Sequence, residues 1–175
     1  MEEKLLIHPS EIRLIVTDID GVWTDGRIIY TSGGDEIKEF NVRDGLGIKL
    51  AQRAGIEVAI VTSRKFEPLA RRARELGVVR LHQSVEKKLD VVKAIAEEMN
   101  IEMEQVVYIG DDLPDLAVMK AVGISAAPAD AAPEIRSIAT WRLDSPGGRG
   151  AVRELVERLL FERNEWTDLV EEFLT

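Results

Sequence analysis

Cysteine is absent from this chain, and histidine is scarce, with only His8 and His82. Without thiols there can be no disulfide and no thiolate zinc site, which suits a reducing, cytoplasmic setting. Two imidazoles cannot build a multi-histidine centre, so any metal bound here is expected to be a hard ion held by oxygens. No run of about 18 apolar residues marks a membrane-spanning helix, and no basic-then-apolar leader is expected. The basic stripe that nucleic acids demand is also missing, because the chain carries a net charge of −9 over 175 residues. With no repeat, low-complexity segment or linker, and 45% hydrophobic content for one core, a single domain over 1–175 is expected.

What is present centres on Leu14 to Gly26, reading Leu-Ile-Val-Thr-Asp-Ile-Asp-Gly-Val-Trp-Thr-Asp-Gly. Leu14, Ile15 and Val16 suit a short buried parallel strand, which stops at Asp18 and Asp20. In an extended chain these two carboxylates point the same way, and like charges side by side call for a cation or a proton between them. Alone, the pair could equally cap a turn, since Asp-Gly recurs at Asp25-Gly26 and Asp44-Gly45. The rest of the chain decides between the two.

Arg27 to Tyr30 and Glu36 to Phe40 flank Ser32-Gly33-Gly34-Asp35, a hairpin signal. A helix then carries Leu50, Ala51 and Ala54 on one face and ends at Gly55. Val58 to Val61 is a second buried strand, stopping at Thr62-Ser63-Arg64. A helix follows with Phe66, Leu69, Ala70, Ala73 and Leu76 on its apolar side. Val78 to Leu81 reads as a third strand, and Leu89, Val92, Ile95, Ala96 and Met99 stripe the next helix, whose start holds Glu86, Lys87 and Lys88. Val106 to Ile109 is a fourth strand ending in Gly110-Asp111-Asp112-Leu113-Pro114-Asp115. Val122 to Ala126 and Thr140 to Leu143 read as further strands around a helical piece at Pro133 to Ile138. After the glycine-rich Ser145 to Gly150, a helix faces inward through Val152, Leu155, Val156, Leu159 and Leu160. Trp166, Leu169, Val170 and Phe173 recur at helical spacing, so the tail is expected to dock on its own domain or on a subunit.

This alternation predicts an α/β fold with a mostly parallel sheet, in which ligands bind beyond the carboxyl ends of the strands. Polar residues gather at those ends: Asp18 and Asp20, Thr62, Lys88, then Asp111, Asp112 and Asp115. Converging carboxylates require a cation, and oxygen ligands with room for water and phosphate oxygens describe Mg²⁺. One carboxylate could attack phosphorus, a second could exchange protons, and Thr62 with Lys88 could hold the phosphoryl oxygens. Because screening acts over about 8 Å, such local cations outweigh the acidic net charge for an anionic substrate. Each residue also has a plainer reading: Thr62 and Asp112 as helix caps, Lys88 as a solvated charge, His82 as an edge residue, Trp23 as packing at the mouth or an interface.

Together, Asp18-x-Asp20-Gly-Val-x-Thr-Asp, Thr62, Lys88 and Gly-Asp111-Asp112-x-x-Asp115 resemble the motifs of the haloacid dehalogenase-like phosphatases. Asn41-Val-Arg-Asp-Gly, Ala127-Pro-Ala-Asp-Ala and Gly147-Gly-Arg-Gly-Ala-Val-Arg-Glu extend the resemblance to the capless members that act on 3-deoxy-D-manno-octulosonate 8-phosphate. It spans roughly residues 12 to 161. The resemblance implies a Rossmann-like three-layer sandwich without a separate cap, with a hairpin flap about 27–40 and a C-terminal helix and tail about 149–175. It implies Asp18 as nucleophile and Asp20 as general acid/base. Thr62 and Lys88, with Lys87 as the competing lysine, would hold the phosphoryl group. Mg²⁺ would sit on Asp18, Asp111 and the backbone carbonyl of Asp20, with Asp112 and Asp115 in support. Arg43, Arg64 and Arg149 would face the sugar acid. A cytoplasmic homotetramer is implied, with the hairpin and the Arg149 loop reaching a neighbour's site, and a role in lipopolysaccharide biosynthesis. Ser63 departs towards relatives acting on nine-carbon sialic-acid-type 9-phosphates, whereas Arg64 points back to the eight-carbon substrate. The other classes to weigh are a phospho-acceptor signalling domain and a regulatory subunit without turnover. The order of the acidic residues argues against the first and the intact acidic set against the second.

Overall fold

The structure is a computed structural model describing residues 7–174. Six parallel strands form the central sheet in the order β5-β4-β1-β6-β7-β8. They are β1 (Leu14–Thr17), β4 (Glu57–Val61), β5 (Arg80–His82), β6 (Val106–Ile109), β7 (Ile124–Ala127) and β8 (Trp141–Arg142). The α/β expectation is therefore met, with every pairing in this sheet parallel. A separate antiparallel hairpin joins β2 (Ile29–Tyr30) to β3 (Glu36–Ile37).

Side-chain alternation along the strands divides the core into two layers. Ile15, Val58, Ile60, Val107 and Ile109 face α1 (Val42–Arg53), α2 (Glu67–Glu75), α6 (Ala151–Glu162) and α7 (Trp166–Glu171). Leu14, Val16, Ala59, Val61 and Tyr108 face α3 (Lys88–Met99), α4 (Leu116–Met119) and α5 (Pro133–Ile138). Strands buried on both faces explain why β1, β4 and β6 read as continuous apolar runs. The fold is a Rossmann-like three-layer sandwich.

Several boundaries differ from the sequence expectation for local reasons. The third strand begins at Arg80, because the Val78 amide closes the end of α2 on the Ala73 carbonyl at 2.9 Å and Val79 is 83% exposed. The fifth begins at Ile124, because the Val122 amide still bonds Val118 and the Gly123 amide bonds Met103. The hairpin strands and β8 shrink to two residues each. Helix α1 starts at Val42, capped by the Asn41 side chain accepting from the Arg43 amide at 2.9 Å, so Asp44 lies inside a helix and not in a turn. The tail docks on its own domain: Leu169 joins the core, Trp166 packs against it, and Arg53 pairs with Glu172 and covers the Phe173 ring at 5.4 Å.

The strand order places the functional edge. From β1 the chain moves outward through β4 to β5, then returns to β6 on the other side of β1. Crossovers diverge at that point, leaving a crevice beyond the carboxyl ends of β1, β4 and β6. In register, Thr17 lies beside Ile60 and Ile109, so the residues that follow all three strands emerge together.

Candidate active site

A cavity of about 270 Å³ opens at this edge, lined by Asp18, Asp20, Gly26, Thr62, Ser63, Arg64, Lys88, Asp111, Asp112, Pro114 and Asp115. The structure thus brings together residues that the sequence separates by up to 97 positions, from Asp18 to Asp115 (115 − 18). Asp18 follows β1, with its amide on the Ile109 carbonyl at 3.1 Å. Beyond it the chain turns tightly, the Ile19 carbonyl accepting from the amides of Val22, Trp23 and Thr24. Trp23 lies in the core beneath this turn and not at the mouth or an interface; its indole N–H donates to Thr17 Oγ1 at 2.8 Å.

Carboxylate oxygens of Asp18, Asp111 and Asp115 lie within 4.8 Å of one another. Their surroundings divide them into two roles. Both oxygens of Asp115 are already engaged. Oδ1 accepts from Lys88 Nζ at 2.7 Å and Tyr108 OH at 2.6 Å, and Oδ2 accepts from the amides of Asp111 and Asp112 at 3.0 and 3.3 Å. Asp18 presents Oδ2 to Lys88 at 3.0 Å, while its Oδ1 is buried without a hydrogen-bond partner among the described residues. A buried oxygen without a donor is costly unless a cation or proton meets it. Asp18 and Asp111 therefore fit a divalent ion, and Asp115 fits a support that aligns Lys88 and the Asp111 loop.

The electrostatics agree with that division. Burial, followed by repulsion from Asp115, pushes Asp18 up to about 6. Burial and the charges of Asp18 and Asp115 push Asp111 up to about 8. Burial works against the Lys88 ammonium, but Asp18 and Asp115 outweigh it and hold its pKa above the usual lysine value. Burial, then Asp115, keeps the Tyr108 phenol protonated well above its ordinary range. Two glycines make this crowding feasible. A Cβ on Gly21, whose φ is +82°, would run into the Asp111 carboxylate, and one on Gly110 would meet the Asp115 carboxylate.

The remaining predicted residues are placed as follows. Lys88 heads α3 with its side chain 2% exposed and directed into the cavity, whereas Lys87 is exposed. Thr62 follows β4 and accepts from the Arg64 amide at 3.4 Å. It caps no helix, because Phe66 takes the N-cap position of α2. Asp112 caps the turn Leu113–Asp115 through the Leu113 amide at 2.8 Å. His82 ends the edge strand β5. Arg64 lines the cavity, but Arg43 lies exposed on α1 and outside it. Arg149 lies outside it too, lining a neighbouring cavity of about 540 Å³ with Asp25, Glu39, Phe40, Asn41 and Gly148. Its glycine-rich loop is tied to the acidic turn by the Gly148 amide donating to the Val22 carbonyl at 2.9 Å.

Three residues at or beside the site, Lys38, Glu36 and Tyr108, were not anticipated from the sequence. Lys38 of the hairpin, its side chain 1% exposed, pairs with the Asp20 carboxylate, and Glu36 accepts from Arg64 Nη2 at 2.9 and 3.1 Å. The hairpin thus closes on the site of its own chain. A signal was present, because Glu36, Lys38 and Phe40 share one face of a strand-like run. Tyr108 was also passed over, since a phenol inside an apolar strand reads as core.

The family model for haloacid dehalogenase-like hydrolases matches residues 81–155. The chain is 45% identical over 161 residues to the 3-deoxy-D-manno-octulosonate 8-phosphate phosphatase of Salmonella typhi, covering 92% of this chain and 86% of that protein. Among solved structures it resembles the phosphatase of that name from Yersinia pestis, with a TM-score of 0.90, 40% identity and coverage of 94% and 89% of the two chains. It also resembles the one from Moraxella catarrhalis, solved with magnesium, phosphate and 3-deoxy-D-manno-octulosonate, with a TM-score of 0.92, 36% identity and 95% coverage of both. The resemblance read from the motifs is thereby borne out: the chain belongs to the haloacid dehalogenase-like hydrolases.

Proposed function

We propose that this protein is a Mg²⁺-dependent phosphatase that hydrolyses 3-deoxy-D-manno-octulosonate 8-phosphate to the sugar acid and phosphate. The observation carrying this reading is the meeting of the Asp18 and Asp111 carboxylates beside Lys88, with one Asp18 oxygen buried and unpartnered among the described residues. The names of the relatives at 45% identity supply the substrate. Asp18, Asp111 and the Asp20 backbone carbonyl would hold Mg²⁺, which when bound offsets carboxylate charge and polarises a phosphoryl oxygen.

The chain's own groups would then divide the chemistry. An Asp18 oxygen attacks phosphorus while the ester oxygen of the sugar leaves with a proton from Asp20, giving an aspartyl-phosphate and the free alcohol. Asp20, now a carboxylate, takes a proton from water. The resulting hydroxide attacks the same phosphorus, releasing phosphate and restoring Asp18. Lys88 and Thr62 hold the equatorial oxygens as charge builds on them. Lys38, paired with the Asp20 side chain, fixes where that proton is delivered. Arg64 lines the same cavity and is the candidate partner of the sugar carboxylate, while Arg43 and Arg149, outside it, would need another subunit's site. A single domain without a separate cap, working as a cytoplasmic homotetramer, completes the reading.

Phosphate release from a panel of sugar phosphates tests it. Turnover of the octulosonate ester should be lost on adding EDTA, and Asp18→Asn should abolish it with the circular dichroism spectrum unchanged. Metal-independent turnover would refute the mechanism, and a preference for a nine-carbon 9-phosphate would reassign the substrate.

A further inference from the structure

The pairing of the hairpin with Arg64 has a consequence for substrate selection. Arg64 lines the cavity, yet its Nη2 already lies 2.9 and 3.1 Å from the two oxygens of Glu36. Glu36 is not part of the cavity lining; it reaches Arg64 from β3, outside the crevice. Among the described residues, Arg64 Nε and Nη1 make no side-chain hydrogen bond, but each paired face of the guanidinium, Nε with Nη2 and Nη1 with Nη2, includes the nitrogen that Glu36 engages. Just past β3, Lys38 Nζ lies 3.9 Å from Glu36 and pairs with Asp20. Charges therefore alternate along this chain of contacts: Asp20, Lys38, Glu36, Arg64.

We propose that Glu36 is a built-in stand-in for the substrate's carboxylate, occupying the Arg64 guanidinium until a carboxylate-bearing phosphate ester displaces it. This rests on the sugar-acid phosphatase reading. A planar guanidinium selects a carboxylate by its paired N–H donors, and the Glu36 side chain and a sugar acid offer it acceptor oxygens alike. An ester without a carboxylate leaves the Glu36 contact in place and is unaffected by it. Glu36 thus weakens acid esters alone, by competing for Arg64, and sets how far Arg64 discriminates in their favour, which makes Glu36 a specificity-determining residue. Lys38 stays on Asp20 in either state, so the chemical step is not tied to the exchange.

Competition of this kind divides the intrinsic dissociation constant by the fraction of Arg64 that is unoccupied, which weakens apparent affinity. A partly exposed ion pair of this kind leaves roughly 1.4 to 5 occupied Arg64 side chains for each free one, which weakens the carboxylate ester about two- to sixfold. Glu36→Gln should therefore lower KM for 3-deoxy-D-manno-octulosonate 8-phosphate by about that factor with kcat retained. KM for glucose 6-phosphate, which has no carboxylate, should stay the same. In an Arg64→Ala background the Glu36→Gln effect should vanish. Binding of the phosphate-free sugar acid by calorimetry reads the same exchange without turnover, and should tighten by the same factor. An unchanged or raised KM for the octulosonate ester, or equal effects on both esters, would overturn the inference. Loss of the octulosonate preference in the unmutated enzyme, with tighter sugar-acid binding still seen in Glu36→Gln, would overturn the substrate reading alone.

Discussion

Asp115→Asn isolates the support beneath the site from the groups that face the ligand. The substitution keeps size and shape but cannot satisfy the same partners. Asp115 accepts four hydrogen bonds, two on each oxygen, from Lys88 and Tyr108 and from the amides of Asp111 and Asp112. An asparagine offers one oxygen and one NH₂. If its oxygen keeps the two amides, the NH₂ faces the Lys88 ammonium and the Tyr108 hydroxyl, and Lys88 retains only Asp18 at 3.0 Å. If it turns over, the part-buried amides of Asp111 and Asp112 lose their acceptor. Breaking a buried ion pair by removing one partner costs about 3–5 kcal/mol. For a chain of this length each kcal/mol lowers Tm by roughly 2–4 °C, so a fall of about 6–20 °C is expected by scanning calorimetry. Asp112→Asn, which touches one exposed cap, should stay within about 1 kcal/mol. A drop below about 3 °C for Asp115→Asn would refute the assignment of Asp115 as the anchor of this network.

The raised carboxylates predict a pH-dependent response to metal. Asp18 at about 6 and Asp111 at about 8 both exceed the ordinary 3.8, so the metal-free folded chain holds more protons than the unfolded one. Stability contributed by these groups should fall as pH rises from about 4 to 8, and Mg²⁺ should bind about tenfold more tightly per pH unit for each proton it displaces. The gain in Tm at a fixed, subsaturating Mg²⁺ concentration should therefore be larger at about pH 8 than at about pH 6, and the reverse order would contradict the assignment. Away from the site, Asp44→Ala should lower stability by about 1–2 kcal/mol, because the side chain caps α6 through the Arg153 amide at 2.8 Å. The exposed Asp35→Ala should change it by less than about 0.5 kcal/mol, and equal effects in chemical denaturation would remove Asp44 from that role.

The sequence by itself determined the parallel sheet and the ends of its strands. Apolar runs at Leu14–Val16, Val58–Val61 and Val106–Ile109 have no stable place except between two helical layers, and each stops at a threonine or glycine that leads into polar residues. That local pattern was enough to put Asp18, Thr62 and Asp111 on one edge once the crossovers were taken as right-handed. Only the tertiary structure decided which carboxylate does what. Asp111, Asp112 and Asp115 look alike in sequence, but their oxygens differ in how many donors reach them, and donors come from distant segments such as Tyr108 in β6 and Lys88 in α3. It likewise turned Asp44 from a turn residue into a cap for α6, 109 residues away. The hairpin shows the same limit, since its strands pair only with each other and its pattern predicts a turn without saying what the turn rests on. That Lys38 reaches Asp20 and Glu36 reaches Arg64 depends on how β2 and β3 fold back over the sheet edge. Periodicity along a chain reports which side of an element is buried; which charges then meet is set by how separate elements pack.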